Sequence, residues 1–514
     1  MSADVAVIAT PAPGDAGAPL AGRVGRAVAW SALSTWVLRL GQFLMGIVIA
    51  RLVAPHEFGV FVVALTVYTI VINVSEVGVS AALVREVHRS REIAPTVATI
   101  ALTTSALLTT LMVVVASPVS TALGSSAATS SVQVLSLTVL LAGAGAVPSA
   151  LMTRDFRQKR MFAINAAFFV SSNALLVVLA MGGGGALALA WSRVAGQVVS
   201  TALLLYFSPE RYWPGFNRRE AKHLLRFGLP LAGANLINLA LANLDFIVIG
   251  RLRGALRLGY YNLAYNISGW PVSVFSAVLT SVTLPTLARV REVQAELLAH
   301  LRAGLSALAA AAFPVSALSI ALAPSLVDTV YGQRWGPAAV ALMALSAFGA
   351  IRVVIALLAD LLVALGFTQR LFLIQVVWLA ALVPAMIFGV SRWGIVGAGI
   401  ANTAVGLLVV LPCYLVIIRR SARLPLGWLV GSSVPPLAAA SVAGVVARVV
   451  ADRIPSAPLA LIVGAVCGIS CYVVVLFGWL RRTIRTLRRL YGRSGGYPPR
   501  HATGLATKVP EPAP

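Results

Sequence analysis

Six ionisable side chains stand inside stretches of sequence that are otherwise apolar: Arg39, Arg193 and Arg352 among the cations, and Glu76, Asp245 and Asp360 among the carboxylates. A charge at membrane depth costs several kcal/mol unless it faces water or a partner, so each is a candidate functional residue. Guanidinium forks suit bidentate capture of phosphate or carboxylate. Arg39 and Arg352, joined by Arg193, are therefore expected to line a central cationic cleft that binds an anionic cargo. The alternative is that arginines pair within their own half of the chain, Arg39 with Glu76 or Arg352 with Asp245, and that Arg193 snorkels toward the nearer surface. Asp245 closes a polar run, NLINLALANLD, in which Asn243 and its neighbours could help hold a cation or relay a proton. Asparagines on membrane helices also simply hydrogen-bond across helix contacts. Glu76 and Asp360 are placed toward the cytoplasmic side, as ion-pair or gating residues.

Other chemistries find no support. There is no P-loop and no HExxH, and Cys413, Cys467 and Cys471 lack any metal or redox spacing. The outer loops carry only Glu57, Asp328 and Asp452 as acids, too few for a glycan polymerase or ligase built on a sizeable loop. No cofactor is expected. Energy would come from H+, Na+ or the membrane potential.

The elements that must position these residues follow from composition. Of 514 residues, 59% are hydrophobic and 11% charged, with mean hydropathy +0.91. That apolar content matches about fourteen spans of about 20 residues, and apolar runs of that length recur between 28 and 480. The expected fold is an all-α integral membrane protein. The net charge of +24 would suggest nucleic acid in a soluble chain. Here Lys and Arg favour the loops on the N-terminal side of the membrane by roughly four to one, which places both termini in the cytoplasm and removes nucleic acid as a partner.

An internal repeat at an offset of 200 residues pairs IVIARLVAPHEFGVFVVALT (47–66) with IVIGRLRGALRLGYYNLAYN (247–266), identical at seven of twenty positions. Six spans per repeat is an even number, so both halves run the same way and should be related by a pseudo-twofold axis along the membrane normal. The expected organisation is a disordered leader (1–27), a six-helix lobe (28–207), a cytoplasmic linker (208–226), a second six-helix lobe (227–418), two additional helices (429–480) and a basic tail (481–514). Trp30, Trp213, Trp335, Trp393, Trp428 and Trp479 fall near span ends and read as headgroup-layer anchors. The run WLRRTIRTLRRLYGR (479–493) reads as a helix lying on anionic lipid.

Several stretches carry a family resemblance: IARLVAPHEFGVF (49–61), EVGVSAALVRE (76–86), the segment 226–265 from RFGLPLAGAN to YYNLAY, TLPTLARVR (283–291), YGQRWGPA (331–338) and LLVALGFTQR (361–370). Over about 25–420 the chain resembles the polysaccharide transporter family, in particular the colanic- and teichuronic-acid exporter branch of oligosaccharide flippases. That family lies within the multidrug/oligosaccharidyl-lipid/polysaccharide exporter superfamily. The resemblance implies flipping of a polyprenyl-pyrophosphate-linked oligosaccharide across the bacterial cytoplasmic membrane by alternating access of two lobes, with other polysaccharide assembly proteins as partners. One departure is Phe246, directly after Asp245, where relatives often carry a polar residue. The alternatives are a cation-coupled multidrug exporter of the same superfamily, which a carboxylate would serve better than Arg39, and a membrane glycan polymerase or ligase.

Overall fold

In lipid, backbone N–H and C=O groups find no water, so a long apolar chain satisfies them within helices. The computed structural model describes residues 37–75, 90–155, 157–210, 213–290, 294–421, 425 and 427–492, and every regular element among them is helical. Helix α1 covers 37–52. It is followed by α2 (Pro55–Ser75), α3 (Ser90–Val114), α4 (Thr129–Arg154), α5 (Gln158–Met181) and α6 (Gly185–Tyr206). The helical stretch Arg218–Val290 folds back at Gly254 (φ 76°, ψ 175°) into α7 (218–253) and α8 (255–290). Then come α9 (Gln294–Tyr331) and α10 (Pro337–Ala364). The stretch Thr368–Val405 turns at Gly394 (φ 60°, ψ −140°), giving α11 (368–393) and α12 (395–421), the latter with a π-helical stretch at Gly406–Val410. A short helix, Ala116–Ala122, follows α3, and α13 (Gly427–Ala451) and α14 (Ala457–Gly492) complete fourteen longer helices among the described residues, the number expected from composition.

The connections alternate between two ends. One end holds the tight loops around 53–54, 123–128, 182–184, Gly254, 332–336, Gly394 and 452–456. The other, the linker end, holds the longer connection 207–217.

The repeat is visible in the way the two lobes meet. Gly59 of α2 and Gly259 of α8, partners at the 200-residue offset, lie against each other. A Cβ on Gly59 would fall 1.9 Å from the carbonyl oxygen of Ala255, and one on Gly259 would fall 2.5 Å from that of Pro55. Only hydrogen in place of a side chain lets the two backbones cross. The crossing lies at the tight-loop end, so the lobes are closed against each other there.

The linker is built into the first lobe rather than hung between lobes. Gly215 N–H donates to Pro95 O (3.2 Å), Thr99 Oγ1 donates to Gly215 O (2.8 Å), and Asn217 N–H donates to Thr96 Oγ1 (3.2 Å). Arg154 at the end of α4 bonds Asp155 (2.8 Å) and reaches Glu210 (3.1 Å), both with partly shielded side chains. Asn217 caps α7 by accepting from Arg219 N–H (3.0 Å), and Glu220 complements the first turn. One turn on, Leu224 is buried among Ile93, Val97, Val147 and Leu151 of the first lobe.

The appended helices cover α9. Ala447 and Ala451 of α13 and Ala460 of α14 pack on Ala321 and Leu322, and Tyr472 Oη donates to Ala310 O (2.9 Å). Two expectations need correction. Trp335 is fully buried (0% exposed) and Trp428 is buried too, because each is packed by neighbouring helices rather than left at a lipid interface. Trp213 and Trp393 do stand exposed. The basic run from 479 to 492 belongs to α14, which stays helical through Gly492. Residue 493 and the rest of the tail lie outside the described residues, as do the leader and Glu76.

Candidate functional site

Asp245 is the most deeply buried charged side chain among the described residues. It sits nine residues before the Gly254 turn, about 13 Å from the tight-loop end at 1.5 Å per residue. Its carboxylate is buried (5% exposed) where α7, α8 and α12 meet. Tyr261 Oη donates to Oδ2 at 2.5 Å and Asn402 Nδ2 donates to the same oxygen at 3.0 Å, from α8 and α12 respectively. The other oxygen, Oδ1, is buried with no hydrogen-bond partner among the described residues. Phe246 and Tyr265 close the apolar side of the cluster, with rings edge-on at 5.2 Å. A buried carboxylate oxygen left bare costs free energy unless a proton or cation supplies what is missing.

The structure brings Arg352 to this cluster and keeps the two charges apart. Arg352 acts on Asp245 electrostatically, but no ion pair within 4.0 Å joins them among the described residues, and the Arg352 side chain is exposed. Asn243, buried nearby, donates its amide back to Leu239 O of its own helix (2.9 Å). The amide that reaches Asp245 comes instead from Asn402.

Arg39 and Arg352 occupy matching depths in opposite lobes. Arg39 lies 13 residues from the end of α1 and Arg352 lies 15 residues into α10, so both are about 20 Å from the tight-loop end. Arg39 is half-buried and makes no hydrogen bond or ion pair with another described residue. Arg193 is shallower, eight residues into α6, and its guanidinium lies over the ring of Tyr68 at 5.4 Å. That contact accounts for part of its charge inside the first lobe, so it does not join Asp245. Asp360 is half-buried near the linker end of α10, where its charge reaches the buried Tyr414 of α12.

Tyr261 and Asn402 were missed by sequence reasoning. Asn402 gives a usable signal, a lone amide in the apolar run GIVGAGIANTAVGLLVV, whereas Tyr261 is hidden in the aromatic run GYYNLAY.

Two lobes of six helices, closed at one end and carrying arginines at mid-depth, describe a multi-pass membrane transporter. The family model described as polysaccharide biosynthesis protein matches residues 48–340. The chain belongs to the polysaccharide biosynthesis protein family. The match takes in the Gly59–Gly259 crossing, Asp245 and Tyr261. Among relatives, the succinoglycan biosynthesis transport protein ExoT of Rhizobium meliloti (strain 1021) is 26% identical over 90% of this chain and 94% of its own. The lipopolysaccharide biosynthesis protein WzxC of Escherichia coli (strain K12) is 24% identical over 76% of this chain and 80% of its own. The fold is similar to that of the lipid II flippase MurJ in an inward closed conformation. That similarity has a TM-score of 0.74, with 14% identity over 89% of this chain and all of the other.

Proposed function

We propose that this member of the family moves a lipid-linked oligosaccharide, a precursor of cell-surface polysaccharide, from the cytoplasmic to the outer leaflet by alternating access of its two lobes. The observation that carries the reading is the pair Arg39 and Arg352, set at one depth in opposite lobes below a sealed end. Such a cleft attracts the pyrophosphate or acidic sugars of the cargo, while the lipid tail stays in the bilayer. We assign the sealed end outward, both termini to the cytoplasm and the chain to the cytoplasmic membrane, from the bias of Lys and Arg. Coupling to H+ or Na+ is assigned to Asp245, whose bare Oδ1 such an ion would satisfy.

The test is mass spectrometry of polyprenyl-linked glycans in a strain lacking the gene, with leaflet assignment by an impermeant reagent. Lipid-linked oligosaccharide should accumulate on the inner leaflet. Arg39→Ala and Arg352→Ala should reproduce that accumulation at normal insertion levels, and Arg→Lys should restore part of the export. Unchanged lipid-linked pools and surface glycan in the deletion strain would refute the reading.

A further inference from the structure

The closed seam between the lobes is built from three contacts that the repeat should make symmetric, and they are not. At the centre, Gly59 and Gly259 cross. On either side, a loop of one lobe meets the residue before the repeat arginine of the other, Ala50 before Arg51 or Gly250 before Arg251. The two loops are equivalents. Each has a glycine of positive φ (Gly124, 87°; Gly332, 93°) followed shortly by a 3-10 turn (Ser126–Ala128; Gln333–Trp335).

On the Trp335 flank the lobes are bonded. Trp335 Nε1 donates to Ala50 O (2.8 Å), Arg51 donates to Thr329 O (3.1 Å) and to Val330 O (3.4 Å), and Arg334 donates to Arg51 O. Phe58 of the first lobe meets the Trp335 ring edge-on at 5.6 Å, and the indole is wholly buried. On the Gly124 flank there is only close approach. A Cβ on Gly124 would lie 1.9 Å from Gly250 O, and one on Gly250 would lie 2.7 Å from Leu123 O. No hydrogen bond crosses there among the described residues. Backbone contact without donors, with only the small side chain of Ala128 buried in the turn where Trp335 stands on the other flank, offers little to break, whereas the other flank must give up four hydrogen bonds and re-expose an indole.

We infer that the outer seam parts along the Gly124–Gly250 flank, with the Trp335 flank acting as its hinge, and that this flank is the lateral exit for the lipid-anchored cargo. The inference rests on the lipid-linked reading above, because only a cargo whose tail cannot enter a polar cleft needs a sideways opening toward lipid. A glycan head can cross in water while its tail passes between parted helices.

The test uses pseudo-equivalent spin-label pairs on exposed positions in a background freed of Cys413, Cys467 and Cys471. One pair is Leu52→Cys with Gln333→Cys on the Trp335 flank. The other is Leu252→Cys with Ser126→Cys on the Gly124 flank. Distances are measured by double electron–electron resonance in proteoliposomes. The expected result is one narrow distance population across the Trp335 flank and two populations, or a clearly broadened one, across the Gly124 flank. Equal widening of both flanks, widening confined to the Trp335 flank, or no widening at either would overturn the inference. Joining each cysteine pair with a bifunctional thiol reagent gives a second readout. Export should fall at least tenfold when the Gly124 flank is joined and stay within twofold when the Trp335 flank is joined; equal loss from both overturns the hinge. These distances need no knowledge of the cargo, so failure of the lipid-linked reading appears separately, as unchanged glycolipid pools in the deletion strain.

Discussion

Enlarging Gly59 should hold the outer seam open. A Cβ at this position would stand 1.9 Å from the carbonyl oxygen of Ala255 and 2.5 Å from its carbonyl carbon, both backbone atoms that cannot rotate away. A tolerable C···O approach is about 3.3 Å or more, so the helices would have to separate by roughly 1.4 Å. Overpacking of this kind costs about 1–3 kcal/mol, which converts to a loss of closed seam, relative to the parted state, of about fivefold to 150-fold. The assay is the labelling rate of a buried thiol on the Gly124 flank, Ala128→Cys, by a membrane-impermeant maleimide in protein lacking the native cysteines. Gly59→Val should raise that rate within the stated range and reduce export, because the cycle requires the closed state. Gly259→Ala, whose Cβ would lie 2.5 Å from Pro55 O, should do the same to a smaller degree. Gly46→Val is the control, since nothing lies within 4 Å of the added carbon. A wild-type labelling rate with full export in well-inserted Gly59→Val protein would refute the steric account.

Asp245→Asn removes the charge whose Oδ1 has no partner and should lower export more than tenfold while flattening its dependence on pH or Na+; a wild-type dependence would remove Asp245 from coupling. Tyr261→Phe leaves Oδ2 with Asn402 alone and should cost about 1–3 kcal/mol of stability, read as a lower Tm in detergent with insertion preserved. Arg154→Ala removes the arginine that links Asp155 to Glu210, leaving Asp155 with Arg157 at 3.7 Å, and should cost about 2 kcal/mol, seen in the same thermal assay and as faster proteolysis between 207 and 217.

The fold was legible because hydropathy and the 200-residue repeat are properties of long segments, where many residues vote together. Even the crossing point stood in the repeat, as Gly59 aligned with Gly259. The site was legible only in part. Charge in an apolar run singled out Asp245, Arg39 and Arg352, since desolvation makes such residues costly wherever they sit. Nothing along the chain says that Tyr261, 16 residues on, and Asn402, 157 residues on, would donate to one carboxylate oxygen, because that depends on how α7, α8 and α12 pack. Trp335 misled for a related reason. An indole at the end of a span has the same local signature whether it faces lipid or a second lobe, and only the carbonyl of Ala50, 285 residues away, decides between them.

The hold of the first lobe on residues 213–224 makes α7 a lever. Its root, at Asn217 and Leu224, is fastened to one lobe, and its far end, about 54 Å away at 1.5 Å per residue, bears Asp245 and Gly250 in the other. A rod of continuous helix anchored at the floor of one body and ending at the seam of another can carry a tilt at its base to its tip. The polar cluster around Asp245 rides on the distal third of that rod, so an ion that tightens the cluster and a ligand that shifts the floor would act on the same mechanical element from opposite ends.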